Sequence, residues 1–202
     1  MKNLMILNSI IRRVNKLLKE INTIFYKHYH KYYMSLKEIA FDSANNEYPS
    51  NLRNKMFNFD AIANSVYGLN QELMPCSPDA IYIADKIYFI EFKNGRLDTP
   101  DKKRNLRLKF AEGPYIILAK ILKNKNIQFN KLDFFKLPKV GIVIYNGNKN
   151  PSDVLQMRYN SRFQLDEYHL TLYDQIYTFT FKQFDRMVRE GKKPFAFLKD
   201  TI

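Results

Sequence analysis

The sequence predicts an α/β domain in which helices flank a mixed β-sheet, with an amphipathic helix at the amino terminus. Three observations carry this prediction. Apolar residues recur at three- and four-residue steps over residues 4–25. Two runs rich in β-branched and aromatic residues, 80–83 and 87–92, are separated by a three-residue turn. A third run of this kind, 140–145, follows a long helical stretch.

The first helix divides the chain into a helical extension, 1–34, and a domain, 35–202. Its apolar repeat lasts almost three heptads, and basic side chains occupy the other face. Such a helix can pack on its own domain, pair with a second copy in a homodimer, or lie on a membrane surface. Packing and dimerisation are favoured, because few amphipathic helices bind lipid.

The segment between this helix and the strand pair is less regular. We expect a second helix from about Ser35 to Asn45 and a loop around Pro49. A helix or a strand is expected near Ala61–Leu69. Residues 75–78, which carry two prolines, then interrupt the chain directly before the first strand.

The second strand of the pair, 87–92, is apolar on both faces, which is typical of a central strand. A basic helix over 100–111 and a more apolar one over 115–123 follow it. After the strand at 140–145, the alternation in 168–180 predicts one or two further strands, and 181–190 is expected to be helical.

The net charge of +13 is unevenly distributed. Residues 41–92 carry 3 basic and 7 acidic side chains, whereas residues 93–139 carry 13 basic and 4 acidic ones. Basic surfaces attract polyanions, and an acidic island among them is a candidate cation site. Nucleic acid is therefore the favoured partner, ahead of acidic membranes and of charge that merely aids solubility.

Cysteine and hydropathy bound the compartment. The chain has one cysteine, Cys76, which excludes an internal disulfide framework and suits a reducing environment. No stretch reaches the roughly 18 apolar residues of a transmembrane segment. The amino terminus lacks the pattern of a cleaved signal peptide. A cytoplasmic protein is the expectation.

The strand pair places two acids together. If its turn is centred on Asp85, Asp79 lies opposite Glu91 on the same side of the sheet. Lys93, two residues beyond Glu91, shares that side. Facing carboxylates repel each other, and a carboxylate at the end of a buried strand is costly. A shared divalent cation removes both problems, and oxygen ligands without histidine or thiolate favour Mg²⁺ or Mn²⁺.

The pattern Pro78-Asp79, eleven residues, then Glu91-Phe92-Lys93 resembles the PD-(D/E)xK nuclease superfamily. This resemblance implies a restriction-endonuclease-like fold and metal-dependent hydrolysis of phosphodiester bonds. It implies that Asp79, Glu91 and the Phe92 backbone carbonyl bind the metal, and that Lys93 orients the attacking water. Members often add a carboxylate from a preceding helix. Glu38, Glu47 and Glu72 are the candidates here, with Glu47 weakly preferred.

Basic residues directly after this motif are candidates for gripping a phosphate backbone. They are Lys102, Lys103, Arg104, Arg107 and Lys109. The expected function is a nuclease, favoured as an endonuclease, that acts on DNA in preference to RNA. Two alternatives remain open at this point. One is a nuclease-like protein that binds nucleic acid without cutting it. The other is a purely structural role, in which Pro78-Asp79 starts a turn and Glu91 pairs with Lys93.

Overall fold

A computed structural model describes residues 2–68, 74–151, 162–169 and 171–198. The helices are α1 (Lys2–His28), α2 (Leu36–Ile39), α3 (Phe59–Tyr67), α4 (Pro100–Glu112), α5 (Leu118–Asn124), α6 (Lys131–Phe135) and α7 (Phe181–Arg189). The strands are β1 (Tyr33–Ser35), β2 (Lys55–Asn58), β3 (Ala80–Ile83), β4 (Ile87–Lys93), β5 (Lys139–Tyr145) and β6 (Gln175–Thr180).

Within the described ranges the strands form one six-stranded sheet, in the order β1-β2-β3-β4-β5-β6. Neighbours are antiparallel from β1 to β4 and parallel from β4 to β6. The predicted mixed sheet is therefore confirmed. β4 lies inside the sheet, and its residues are buried up to Phe92, in agreement with the apolar pattern of its sequence.

Hydrophobic side chains cover both faces of the sheet. On one face, Phe89 and Val143 pack in a cluster with residues of α1, α3, α4, α5 and α6. On the other face, Ile90 and Ile142 pack with residues of α2, α7 and the segment that follows α7. Alternate residues of β4 and β5 belong to opposite clusters, as the two-residue period of a strand requires.

α1 packs on the face of the sheet that carries Phe89 and Val143. Among its described side chains, these six are buried in the same cluster: Val14, Leu17, Leu18, Ile21, Ile24 and Phe25. Arg13 adds an ion pair, with its Nε 2.7 Å from Oδ2 of Asp133 in α6. The apolar face of α1 therefore packs against its own domain.

The second predicted helix is much shorter than expected. A capping box starts α2 at Ser35, but the helix ends at Ile39 instead of reaching Asn45. The reason lies in Asp42, whose Oδ1 accepts hydrogen bonds from the backbone N–H groups of Ala44 and Asn45. Such side-chain bonds compete with helical hydrogen bonding. β1 and β2, which were not predicted as strands, have only three and four residues.

α4 continues into α5 through one π-helical turn, Gly113–Ile117. Gly113 lies against Pro78, and a Cβ at this position would stand 2.5 Å from the proline Cδ. A glycine is required here because any side chain would collide with the segment that leads into β3. The end of α4 and the turn after it are therefore packed against the segment that precedes Asp79.

Among the described residues, no helix combines the length and the apolar composition needed to cross a membrane.

Candidate active site

Asp79 and Glu91 meet at one end of the β3–β4 hairpin. The ladder pairs Ala80 with Ile90 and Ile81 with Phe89, which is the register predicted from a turn centred on Asp85. Asp79 stands one residue before this ladder, and its Oδ2 accepts a hydrogen bond of 2.7 Å from the Phe92 N–H. The Phe92 N–H lies beyond the end of the β3–β4 ladder, so it binds the aspartate side chain instead of a backbone carbonyl of β3.

A lysine from α4 joins the two acids. Lys109 Nζ lies 2.7 Å from Glu91 Oε1 and 3.3 Å from Asp79 Oδ1. Lys93 Nζ lies 2.6 Å from the same Glu91 oxygen. Both carboxylates thus face the α4 side of the sheet, as predicted. Two ammonium groups balance their two negative charges.

Burial controls the electrostatics of this group. Glu91 is completely buried, and its Oε2 has no hydrogen-bond partner among the described residues. Burial, together with the charge of Asp79, raises the pKa of the Glu91 carboxyl to about 7. Burial alone would lower the pKa of Lys109, but the charges of Asp79 and Glu91 outweigh it and raise that pKa above its ordinary value.

The segment before β3 is fixed by hydrogen bonds to two neighbouring helices. The Cys76 N–H donates to Glu112 of α4 at 2.6 Å, and the Ser77 hydroxyl donates to Asp60 of α3 at 2.5 Å. The Asp79 carbonyl accepts from the Phe59 N–H at 2.9 Å. These contacts hold Asp79 opposite β4, although Asp79 lies just outside the β3–β4 ladder.

The oxygen atoms of this site fit a hard divalent cation. The Lys93 carbonyl accepts from the Asn146 N–H at 2.9 Å and so faces β5. Successive residues of a strand turn their backbone groups to opposite sides, so the Phe92 carbonyl faces the side of Asp79. This carbonyl, the Asp79 carboxylate and the unpartnered Glu91 Oε2 are the ligand types that Mg²⁺ and Mn²⁺ take.

Two of the three candidates for an additional acid, Glu38 and Glu47, belong to the described residues and make different contacts. Glu38 caps α2, where its carboxylate accepts from the Ser35 hydroxyl and N–H. Glu47 accepts from Asn94 Nδ2 at 2.7 Å, directly after Lys93 in the chain. Glu72 lies outside the described residues. Among the described residues, no group of three or more acid, histidine or cysteine side chains has the arrangement needed to hold a metal ion.

A cleft of about 640 Å³ opens beside the carboxylates. Its lining includes residues of the site, of the loop after α2, of the connection into α4, and of α4 itself. Among these are Asp79 and Lys93, Phe41 and Asp42, Arg96, and Lys102. A ligand in this cleft therefore reaches Asp79 and the exposed part of Lys93 at the same time.

The five basic candidates of α4 are spread around the helix. Lys102 lines the cleft, whereas Lys103 lines a neighbouring hollow. Arg104 is exposed, and Arg107 donates to Gln164 at 2.6 Å. Lys109 is directed at Asp79 and Glu91 and is only 16% exposed, so its ammonium group is engaged by the acids.

The place of Lys109 in the site was missed by the sequence analysis, although α4 contains the signal for it. Leu106 and Phe110 are buried, and Lys109 lies between them on the inward face of the helix. A lysine on an inward face requires hydrogen-bond acceptors there, and carboxylates are the strongest of these. Asn94 was missed as well. Its Nδ2 binds both Asp42 and Glu47, at 2.8 and 2.7 Å, and so ties the loop after α2 to the end of β4.

Comparison with known proteins gave no match to any family model, curated protein or solved structure.

Proposed function

We propose that the protein is a metal-dependent nuclease that hydrolyses phosphodiester bonds, with DNA as its favoured substrate. The observation that carries the proposal is the convergence of Asp79, Glu91 and Lys93 beside an open cleft. Lys109 bridges the two carboxylates. Glu91 would not be buried in this position without a cationic partner, because an unpaired charge in a protein interior is strongly destabilising.

The arrangement of elements supports the same proposal. β2, β3 and β4 are antiparallel neighbours in the sheet, and β5 returns parallel to β4 after α4, α5 and α6. With α1 before them, and with α3 inserted between β2 and β3, this order resembles the helix–three strands–helix–strand core of the PD-(D/E)xK superfamily. By motif, the two acids correspond to the metal ligands of that superfamily. We therefore extend the proposal to a restriction-endonuclease-like fold.

In this proposal Asp79, Glu91 and the Phe92 carbonyl hold Mg²⁺ or Mn²⁺. The chemistry that such an ion supplies when bound is polarisation of a phosphoryl oxygen and neutralisation of the charge that develops there. Lys93 is 27% exposed and lines the cleft, so its ammonium group is placed to donate a hydrogen bond to a phosphate oxygen or a water molecule. Lys102 and Arg96 are placed to contact the adjoining phosphates.

The test is incubation of supercoiled plasmid with purified protein and Mg²⁺ or Mn²⁺. We expect conversion to nicked and linear forms, which identifies an endonuclease. Asp79→Asn and Glu91→Gln should each lower the rate by roughly a thousandfold, because the ion provides several kcal/mol of transition-state stabilisation. Asp85→Asn makes the same chemical change at the far end of the hairpin and should leave the rate unchanged. Cleavage that survives both site substitutions would refute the proposal.

A second candidate function is nucleic-acid binding without cleavage. Lys93 and Lys109 favour it, because their two ammonium groups already balance the two carboxylates and leave no net charge to attract a divalent ion. This candidate predicts binding that weakens steeply with salt, and no cleavage with Mg²⁺ or Mn²⁺. Incubation of the wild-type protein with the plasmid, and with circular single-stranded DNA, separates the two functions.

A further inference from the structure

Two exposed aromatic rings stand beside the cleft. Phe41, which lines it, is 37% exposed, and Tyr48 is 50% exposed. Their ring centroids are 4.6 Å apart, so the two rings form one continuous apolar surface, which we call the aromatic platform. Exposed aromatic side chains that share a cleft with candidate catalytic residues favour a ligand that has flat apolar faces.

The platform is held in place by the residues between its two rings. Asp42 follows Phe41 and Glu47 precedes Tyr48, and these two residues exchange backbone hydrogen bonds of 2.9 and 3.1 Å. Both of their carboxylates also accept from Asn94, directly after Lys93. The loop is therefore closed on itself and anchored at the end of β4. The same anchor fixes the distance between the platform and the carboxylates.

Positive charge lies near the platform. Lys37 Nζ stands 4.6 Å from the centre of the Tyr48 ring. Arg96 and Lys102, which line the cleft, have side chains that are 69% and 53% exposed, and both pair with Asp98 at the surface. Ion pairs this exposed contribute little, so a phosphate group can compete for these cations. The cleft lining thus combines an exposed aromatic ring with cations that can receive phosphates.

We propose that this cleft takes unpaired nucleotides, with a base stacked on Phe41, whose ring is packed against Tyr48, and with their phosphates directed at Arg96 and Lys102. The inference rests on the proposed function and names its substrate class. Base-on-aromatic stacking combined with a basic groove is the general mode of binding for single strands. In a closed duplex the faces of the bases are already covered by their neighbours. The platform therefore selects single-stranded segments or strand ends over intact duplex.

The chain has no tryptophan, which permits a direct test of stacking. In the Phe41→Trp variant the new indole is the only one, and a base stacked on it quenches its fluorescence. A single-stranded oligodeoxynucleotide, added in EDTA, should quench this emission, and its duplex should not. Phe135→Trp is the matched control, because Phe135 is 57% exposed on α6, which contributes no residue to the cleft lining. Its emission should change with neither probe.

Binding affinity gives a second readout. Phe41→Ala should weaken binding of the single strand by about tenfold and leave duplex binding unchanged, since each stacked base contributes roughly 1–3 kcal/mol. An oligonucleotide with abasic sites should bind the wild-type protein as weakly as the intact strand binds Phe41→Ala. The inference is overturned if the duplex quenches the Phe41→Trp variant equally. It is also overturned if Phe41→Ala binds the single strand with unchanged affinity.

Failure of this inference can be distinguished from failure of the proposed function. Both binding experiments omit divalent ions and therefore do not depend on cleavage. A protein that binds single strands on the platform but cuts no nucleic acid would retain the inference and lose the nuclease. If the wild-type protein and the Phe41→Ala variant cut intact duplex with Mg²⁺ at the same rate, the proposed nuclease function would stand and the inference would fail.

Discussion

Lys109 and Lys139 lie at opposite ends of the same face of the sheet and differ in what they meet. Lys109 faces two carboxylates near the end of β4, and its pKa is raised. Lys139 begins β5, is 3% exposed, and donates to the carbonyls of Phe135 and Leu137 at 3.0 and 2.7 Å. Burial there lowers its pKa to about 8.

The difference separates a site from a structural clamp. The amine of Lys139 satisfies backbone carbonyls at the end of α6, which is a sufficient reason for its position. The amine of Lys109 serves two acids that repel each other and are brought together by neighbouring strands. At one end of the sheet, the proposed metal ion could replace the ammonium group of Lys109 between the two carboxylates. At the other end, the ammonium group of Lys139 binds backbone carbonyls, which offer no such site. The following predictions test this contrast.

The largest effect is expected for Lys109→Met. Without divalent ions it leaves Asp79 with no ammonium partner and the buried Glu91 with Lys93 alone, which should lower the free energy of unfolding by about 3–5 kcal/mol. Mg²⁺ should restore much of this loss, because it takes the place of the ammonium group. Urea denaturation in EDTA and in Mg²⁺ measures both values. Lys139→Met is the control, and its stability should not respond to Mg²⁺. If Mg²⁺ raised the stability of both variants equally, the distinction between Lys109 and Lys139 would be refuted.

Gly113→Ala is expected to have the next largest effect. The new methyl group would meet Pro78 at 2.5 Å and displace the segment that carries Asp79. Overpacking typically costs about 1–3 kcal/mol, and the better helix propensity of alanine returns up to about 1 kcal/mol. We expect a net loss of stability together with slower cleavage. Gly95→Ala, where nothing lies within 4 Å of the added group, should change neither the melting temperature nor protein yield.

A smaller effect concerns pH. The pKa of Lys139 is lowered to about 8 in the folded protein, so the unfolded chain binds its proton more tightly. Stability should therefore rise with pH above 8 and level off above the ordinary lysine pKa. Relative to Lys139→Met, the wild type should gain on the order of 1 kcal/mol between pH 8 and 9.5. Lys109 should contribute no such slope, because its raised pKa keeps it protonated throughout this range in both states. A flat difference between wild type and Lys139→Met would contradict the account of Lys139.

The smallest effect is expected for Glu47→Gln. If Glu47 anchors the loop through Asn94, the amide oxygen of glutamine can accept the same hydrogen bond. Plasmid cleavage should then change by less than about fivefold, which corresponds to roughly 1 kcal/mol. A loss as large as that of Glu91→Gln would instead make Glu47 a ligand of the proposed metal.

The sequence predicted the elements that have a strong local pattern. α1, β3, β4, α4, β5 and α7 lie where periodicity placed them, and the hairpin register followed from one short turn. β1, β2 and α6 have three to five residues each, too few for a period to be recognised. The convergence of Asp79 and Glu91 was predictable because the two residues belong to one hairpin. The apolar residues Leu106 and Phe110 indicate that Lys109 lies on the inward face of α4. Its contact with Asp79 and Glu91, however, depends on how α4 packs against the sheet, and no local pattern contains that information.

The central claim is that Asp79 and Glu91 share one divalent ion, and titration with Mn²⁺ tests it most directly. Free Mn²⁺ can be followed by its electron paramagnetic resonance signal. We predict one bound ion per chain, with affinity lowered more than about tenfold by Asp79→Asn and by Glu91→Gln, and unchanged by Asp85→Asn. Absence of binding to the wild-type protein, or equal binding by all four proteins, would contradict the claim.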